Sequence, residues 1–533
     1  MSMYRFPPEQ FSPENEAIME ALISVDKAKL MEALTMYQEH MDVHKVCKNG
    51  TTIACVAVKL GNLQILKTIL ERQSACGKQI SPKRLRTIDP SKKLPMRDLS
   101  NVGCHYSNLN VGVSHDKKYT YELDPCGNIS QIDKYGKNAL HYAVACDKLD
   151  MVEYLLATFK DLHCNQVDRT LKTPLHIAAL RDNNEMINLL LRLGATVDSR
   201  DQEGQTPLHY ACMRGITKMV STLLEAKSDI NALDYEGQST LMLATSCNHY
   251  EVVELLLRNK VRVNYEDDRG FTALKKAVFV KNAKITKALV ENGARICESL
   301  NLLHHAAKYD QIDIVKSLLD GGARLETRDS KGNTALMCAV EYRNFEIVKF
   351  LLEKGANPNS TQGISGITPL HISMYQIMDA DLVKEYIDIF LKYGADIYKR
   401  CNWGFDALYY SFLHKNDPAA CYLIRTGMNV NFRHETDRFD YMSSSMKHSR
   451  TPAPIKLLLY SGFDIKNFKD RPKNSIPVDK MNAKQKCFHE FMCTTLSLKD
   501  MCRIRIRRLV NPLDIPQLPL PSTLHKFLRL EIL

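Results

Sequence analysis

The sequence predicts an all-α protein, a solenoid of about ten to twelve stacked helix pairs that ends in a small C-terminal helical module. Three observations carry that prediction. The phrase Thr173-Pro174-Leu175-His176-Ile177-Ala178 recurs 33 residues later as Thr206-Pro207-Leu208-His209-Tyr210-Ala211. Weaker copies stand at Ser239, Thr272, Asn301, Thr334, Thr368 and Asp406, with earlier ones at Asn138 and, more loosely, Thr52. After Gly462 the pattern stops and a different amphipathic pattern begins.

Each element of a unit follows from its residues. The proline suits a first helical turn, where its missing N–H costs nothing. A polar break leads to a second helix marked by an apolar pair, such as Leu190-Leu191, Leu223-Leu224 or Leu351-Leu352. Glycines such as Gly194, Gly293 and Gly355 close that helix, where a left-handed cap favours a residue without Cβ. A further glycine, such as Gly136, Gly204 or Gly332, stands two residues before most of the cap positions, where a tight turn must form. One unit cannot bury its own apolar face, so the core must come from stacking.

In chain order, residues 1–13 are expected to be a flexible N-terminus, and 14–71 to hold a capping helix pair and the first unit. Residues 72–131 form an insertion too long for an ordinary connection. They are read as a solvated excursion rather than an import signal or nucleic-acid patch, although Lys83-Arg84-Leu85-Arg86 is basic. Residues 132–465 carry the main array. The copy at Asn301 comes early and lacks Thr-Pro, and a last copy near Phe439 keeps only a good second helix. Residues 466–496 make a Lys-rich connector with a helix, and 497–530 the terminal module.

This period and phrase resemble the ankyrin repeat, over roughly residues 40 to 465. In the terminal module, Leu498, Cys502, Ile506 and Leu509 fall at steps of four, four and three, one face of a helix with Ser497 as its N-cap. An alternating strand over Arg503 to Arg508 is the competing reading; the cap, the longer stripe and the stop at Asn511-Pro512 favour the helix. Then Leu518-Pro519-Leu520-Pro521 fixes a low-entropy extended segment. The two parts, in this order, resemble the SOCS box. What the resemblance implies is that Leu498, Cys502, Ile506 and Leu509 face elongin C, and that Leu518, Pro519, Leu520 and Pro521 contact a cullin. The combination resembles the ankyrin-repeat and SOCS-box family. The implied function is that of a non-catalytic target receptor of a cullin-RING ubiquitin ligase, working with elongin B, elongin C, a cullin and its RING protein. The alternative is an ankyrin scaffold or adaptor without ubiquitin transfer.

Composition agrees. The 533 residues include 44% hydrophobic and 25% charged residues, the profile of a globular chain. Residues 1–13 carry one basic residue, Arg5, and no apolar run, so a cytoplasmic protein is expected, with the nucleus as a second compartment. No membrane association is expected, since no window approaches a span. Sixteen cysteines without paired metal spacing read as free thiols. The formal charge of +11 is concentrated in residues 72–100 (+6) and 466–533 (+8), so +11 less +14 leaves the body near −3. Nucleic acid is therefore not the expected partner.

No catalytic motif, cofactor or metal is expected: phosphate loop, nucleophile elbow and zincin helix are all missing. His141, His176, His209, His304 and His371 share one repeat position, which points to structural hydrogen bonds rather than ligation. Cys487, His489, Glu490 and Cys493 form a compact set without a second pair, and read as helix positions. The candidate target-binding residues are Trp403, Tyr235, Arg200 and Arg269, all at turn tips; Trp403 is the single tryptophan.

Overall fold

A computed structural model describes residues 132–133, 135–159, 162–431, 440–463 and 481–493, together with Ile504 and scattered positions between 55 and 67. The expected N-terminal capping pair, the insertion and all eight SOCS-box contact residues lie outside the described residues. The chain divides into two compact units, Met1–Glu236 and Gly237–Leu533. Every described element of both is helical.

Among the described residues of the first unit, three helix pairs have both ends placed: α1 (Ala139–Ala145) with α2 (Leu149–Thr158), α3 (Pro174–Arg181) with α4 (Asn184–Arg192), and α5 (Pro207–Arg214) with α6 (Thr217–Glu225). Pro174 and Pro207 sit in the first turns of α3 and α5. Asn183 caps α4 by accepting from the Met186 N–H. First helices pack on first helices and second on second, α1 on α3 on α5 and α2 on α4 on α6. The shared core includes Leu140, Leu175, Leu208, Met186, Leu190, Met219 and Leu223, all essentially without solvent contact. Burying each such side chain contributes about 1.5–3 kcal/mol.

The second unit repeats the plan. Its pairs are α7 (Thr240–Ser246) with α8 (Tyr250–Arg258), α9 (Ala273–Val280) with α10 (Ala283–Glu291), α11 (Leu302–Lys308) with α12 (Ile312–Asp320), and α13 (Ala335–Glu341) with α14 (Phe345–Glu353). They continue with α15 (Pro369–Gln376) and α16 (Ala380–Lys392), α17 (Ala407–Leu413) and α18 (Asp417–Arg425), and α19 (Tyr441–His448) and α20 (Ala453–Tyr460). A further helix, α21 (Ala483–Cys493), packs on α20 through Tyr460 and Phe491. The short spacing before Asn301 has a structural counterpart: a 3-10 turn, Glu298–Leu300, replaces the usual entry, and Asn301 is left-handed at φ 50°. No helix among the described residues is long and apolar enough to cross a membrane.

Candidate partner-binding surface

The turn before each first helix is built around one carboxylate. Asp168 Oδ1 accepts from the N–H groups of Thr170 and Lys172, at 2.8 and 3.0 Å. Asp133, Asp201, Asp267 and Asp329 make the same two bonds, to the residues two and four positions on. These turns demand glycine where they touch: Gly204 has φ +76°, and a Cβ there would lie 2.7 Å from the Tyr235 ring and 2.9 Å from its backbone nitrogen.

In four of these turns, those of Asp133, Asp201, Asp267 and Asp329, the other carboxylate oxygen takes a partner nine residues on. In the first unit Tyr142 donates to Asp133 and Tyr210 donates to Asp201 at 2.6 Å. In the second unit Lys276 pairs with Asp267 at 3.2 Å and Cys338 reaches Asp329 at 3.9 Å. Burial, helped by Asp329, pushes the Cys338 thiol up to about 12, and burial, with Asp417 adding to it and Arg425 opposing it, pushes Cys421 also to about 12; neither is poised as a nucleophile.

The histidines tie helix to turn. His176 Nδ1 accepts from the Thr173 N–H at 3.1 Å, and its Nε2 meets the Gln205 carbonyl of the next repeat at 3.0 Å. His371 does the same with Thr368 and the Phe405 carbonyl. Burial lowers His141 and His371 to about 4 and also lowers His176, so all three are neutral near pH 7. No group of side chains that could hold a metal ion occurs among the described residues.

With the turns thus satisfied, their tips are free to project. Trp403 is 57% exposed on a turn held by Asn402, whose N–H donates to the Ser365 carbonyl and whose amide donates to that of Ile364. Ile364, on that neighbouring turn, is 84% exposed. Tyr235 is 67% exposed, with one ring face over Gly204. Arg269 is exposed on the tip of the Asp267 turn. Arg200 is tied down instead, since its guanidinium donates to the carbonyls of Gly204 and Leu233 and so staples two successive turns. Arg328 does likewise with Gly332 and Thr361. Arg200 and Tyr235 therefore lie on adjacent turns of the first unit, while Arg269 and Trp403 stand several repeats apart in the second.

Sequence reasoning missed a second surface. At the C-terminal ends of the first helices, Phe279 stacks on His305 at 4.2 Å and His305 meets Tyr309 at 4.6 Å. Lys308 lies over both Tyr309 and Tyr342, and Lys281 over Tyr309. Phe279, Tyr309 and Tyr342 are each more than two-fifths exposed. The signal was present: an aromatic residue seven or eight positions after the caps Thr272, Asn301 and Thr334.

Of the terminal module, Ile504 alone is described, and it is helical. Family models supply the rest of the comparison. The model for ankyrin repeats in three copies matches residues 158–234, 227–299 and 297–362, and a single ankyrin repeat matches 135–168. The SOCS box model matches residues 494–529. Beyond residue 362 the pairs from α15 onward carry the same architecture, with Thr368 and His371 in their expected roles. Among curated proteins, human "Ankyrin repeat and SOCS box protein 16" is 29% identical over 119 residues, 22% of this chain and 25% of that protein. "Putative ankyrin repeat protein FPV233" of fowlpox virus is 40% identical over 73 residues, 14% of each chain. "Probable E3 ubiquitin-protein ligase XBOS32" of Oryza sativa subsp. japonica is 37% identical over 71 residues, 13% of this chain and 14% of that one. The matched stretches thus span at most a quarter of these three relatives.

Proposed function

The chain belongs to the ankyrin-repeat and SOCS-box family, and from that premise we propose that it is the target-binding subunit of a ubiquitin ligase. The observation that carries this reading is the order of parts: an array with projecting tips and exposed aromatic faces, followed by a SOCS box at 494–529. The array captures a protein target. Leu498, Cys502, Ile506 and Leu509 present one helical face to elongin C, with elongin B bound to it, and Leu518, Pro519, Leu520 and Pro521 engage a cullin and its RING protein. Ubiquitin transfer falls to the recruited conjugating enzyme, so no side chain of this chain is assigned a chemical step and no cofactor is needed. A supporting comparison is that one relative is named a probable ubiquitin-protein ligase. Trp403, Tyr235 and Arg269 at the tips are the proposed target contacts, with Arg200 holding the turns that present Tyr235.

The test is elongin binding by the full chain. Burying a leucine contributes about 1.5–3 kcal/mol, so Leu498→Ala should weaken elongin B/C binding roughly ten- to a hundred-fold. Thermal unfolding of the array should not move. Replacing Leu518 to Pro521 by alanines should reduce cullin recruitment while leaving elongin binding intact. Full elongin affinity in Leu498→Ala would refute the docking assignment, and equal loss of both partners in the second variant would make that segment merely structural.

A further inference from the structure

In the first unit, the turns at 133–137 and 168–172 and the exposed side of α3 enclose a groove of about 670 Å³. Its floor includes Ile177 and Leu180; its rim carries Lys137, Arg169, Lys172 and Arg181. One acid, Asp168, also lines it, but that carboxylate is buried and occupied: it accepts from Thr170 N–H, Thr170 Oγ1 and Lys172 N–H. Lys137, Lys172 and Arg181 enter no ion pair among the described residues. Lys172 lies 5.2 Å from the Tyr210 ring, a contact that does not neutralise its positive charge. Asp133 on the first turn is likewise buried and accepts from the N–H groups of Tyr135 and Lys137, and Glu203 on the next turn interacts with Lys172 without forming a close ion pair among the described residues. His141 and His176 behind the turns are neutral and add no charge.

Lys137, Lys172 and Arg181 thus give an apolar floor a positive rim, whereas outside its two basic segments the chain is close to neutral. Such a site matches a ligand that alternates negative charge with apolar surface. A nucleic acid would require a basic track much longer than two turns. We infer that this groove binds an acidic, partly apolar segment of the target polypeptide, with carboxylates against Lys137, Arg169, Lys172 and Arg181 and an apolar side chain on Ile177 and Leu180. The inference rests on the receptor reading above and narrows its substrate class.

A random peptide library displayed on phage is selected on the full chain, and recovered peptides are titrated by fluorescence polarisation. The expected pool is enriched in Asp and Glu interspersed with apolar residues. Lys172→Glu with Arg181→Glu should weaken the best peptide at least about ten-fold, and the milder Lys172→Gln with Arg181→Gln should weaken it less. Lys415→Glu in the second unit should change nothing. A pool without acidic enrichment, equal binding to wild type and both double variants, or displacement of the peptide by an equal concentration of single-stranded oligonucleotide would each overturn the inference. The assay contains no elongin and no ubiquitin. Acidic selection together with full elongin affinity in Leu498→Ala would discard the ligase reading and keep the groove; loss of acidic selection with normal elongin docking would do the reverse.

Discussion

The two units solve one packing problem with different side chains. Both hold the turn backbone with an aspartate accepting two N–H groups, as Asp201 and Asp329 show. They differ in what satisfies the second carboxylate oxygen: tyrosine hydroxyls in the first unit, and Lys276 or Cys338 in the second. They differ again at the histidine position, which His141, His176 and His209 fill in the first unit. In the second it is mixed: Met242, Lys275 and Met337 take it in three repeats, and His304 and His371 keep it in two others. The comparison teaches that a buried acceptor must be met but that its donor is interchangeable. What varies freely is charge, and with it the surface each unit offers: a basic groove in the first, and a lysine-flanked aromatic strip in the second.

The largest expected effect tests where the units agree. His141 and His371 are held at about 4 against an ordinary 6.5, so the unfolded state binds more protons between those values. Stability is therefore fully present above pH 6.5 and is lost as pH falls toward 4, by up to about 3 kcal/mol for each histidine. Urea midpoints measured from pH 7 to pH 4 should fall, and His371→Gln should flatten the slope of the second unit but not the first. An unchanged slope in that variant would place the acid sensitivity in the carboxylates.

Next comes the difference itself. Lys276 and Asp267 form a pair whose side chains are 13% and 6% exposed, so Lys276→Met leaves a buried carboxylate without its cation and should cost about 3 kcal/mol. Tyr210→Phe, at the same position of its own repeat, removes one hydrogen bond to Asp201 and should cost only about 1 kcal/mol. Chemical denaturation of the two variants in parallel checks the ranking. If both cost the same, the ionic and neutral donors are equivalent and the contrast between the units disappears.

Much of this was legible in the sequence because it is local. Thr173, Pro174 and His176 lie within one helical turn, so a cap, a first-turn proline and a ring nitrogen returning to the backbone can be read from spacing. The 33-residue period likewise predicts helix pairs up to α20, well beyond the stretch matched by the ankyrin-repeat models. Arg200 shows the boundary. Its position on a tip was legible, but not its bonds to Gly204 and Leu233, since the second lies on the following repeat.

By itself, then, the sequence determined the repeat, its helix pairs and caps, the structural use of the histidines and the terminal SOCS-box pattern, all of which depend on neighbours a few residues apart. Only the tertiary structure decided that Lys137, Arg169, Lys172 and Arg181 share one groove and that Phe279, His305, Tyr309 and Tyr342 form one strip. Those residues come from successive repeats, and their proximity is set by how one repeat stacks on the next, a packing of buried leucines that the exposed residues themselves do not encode.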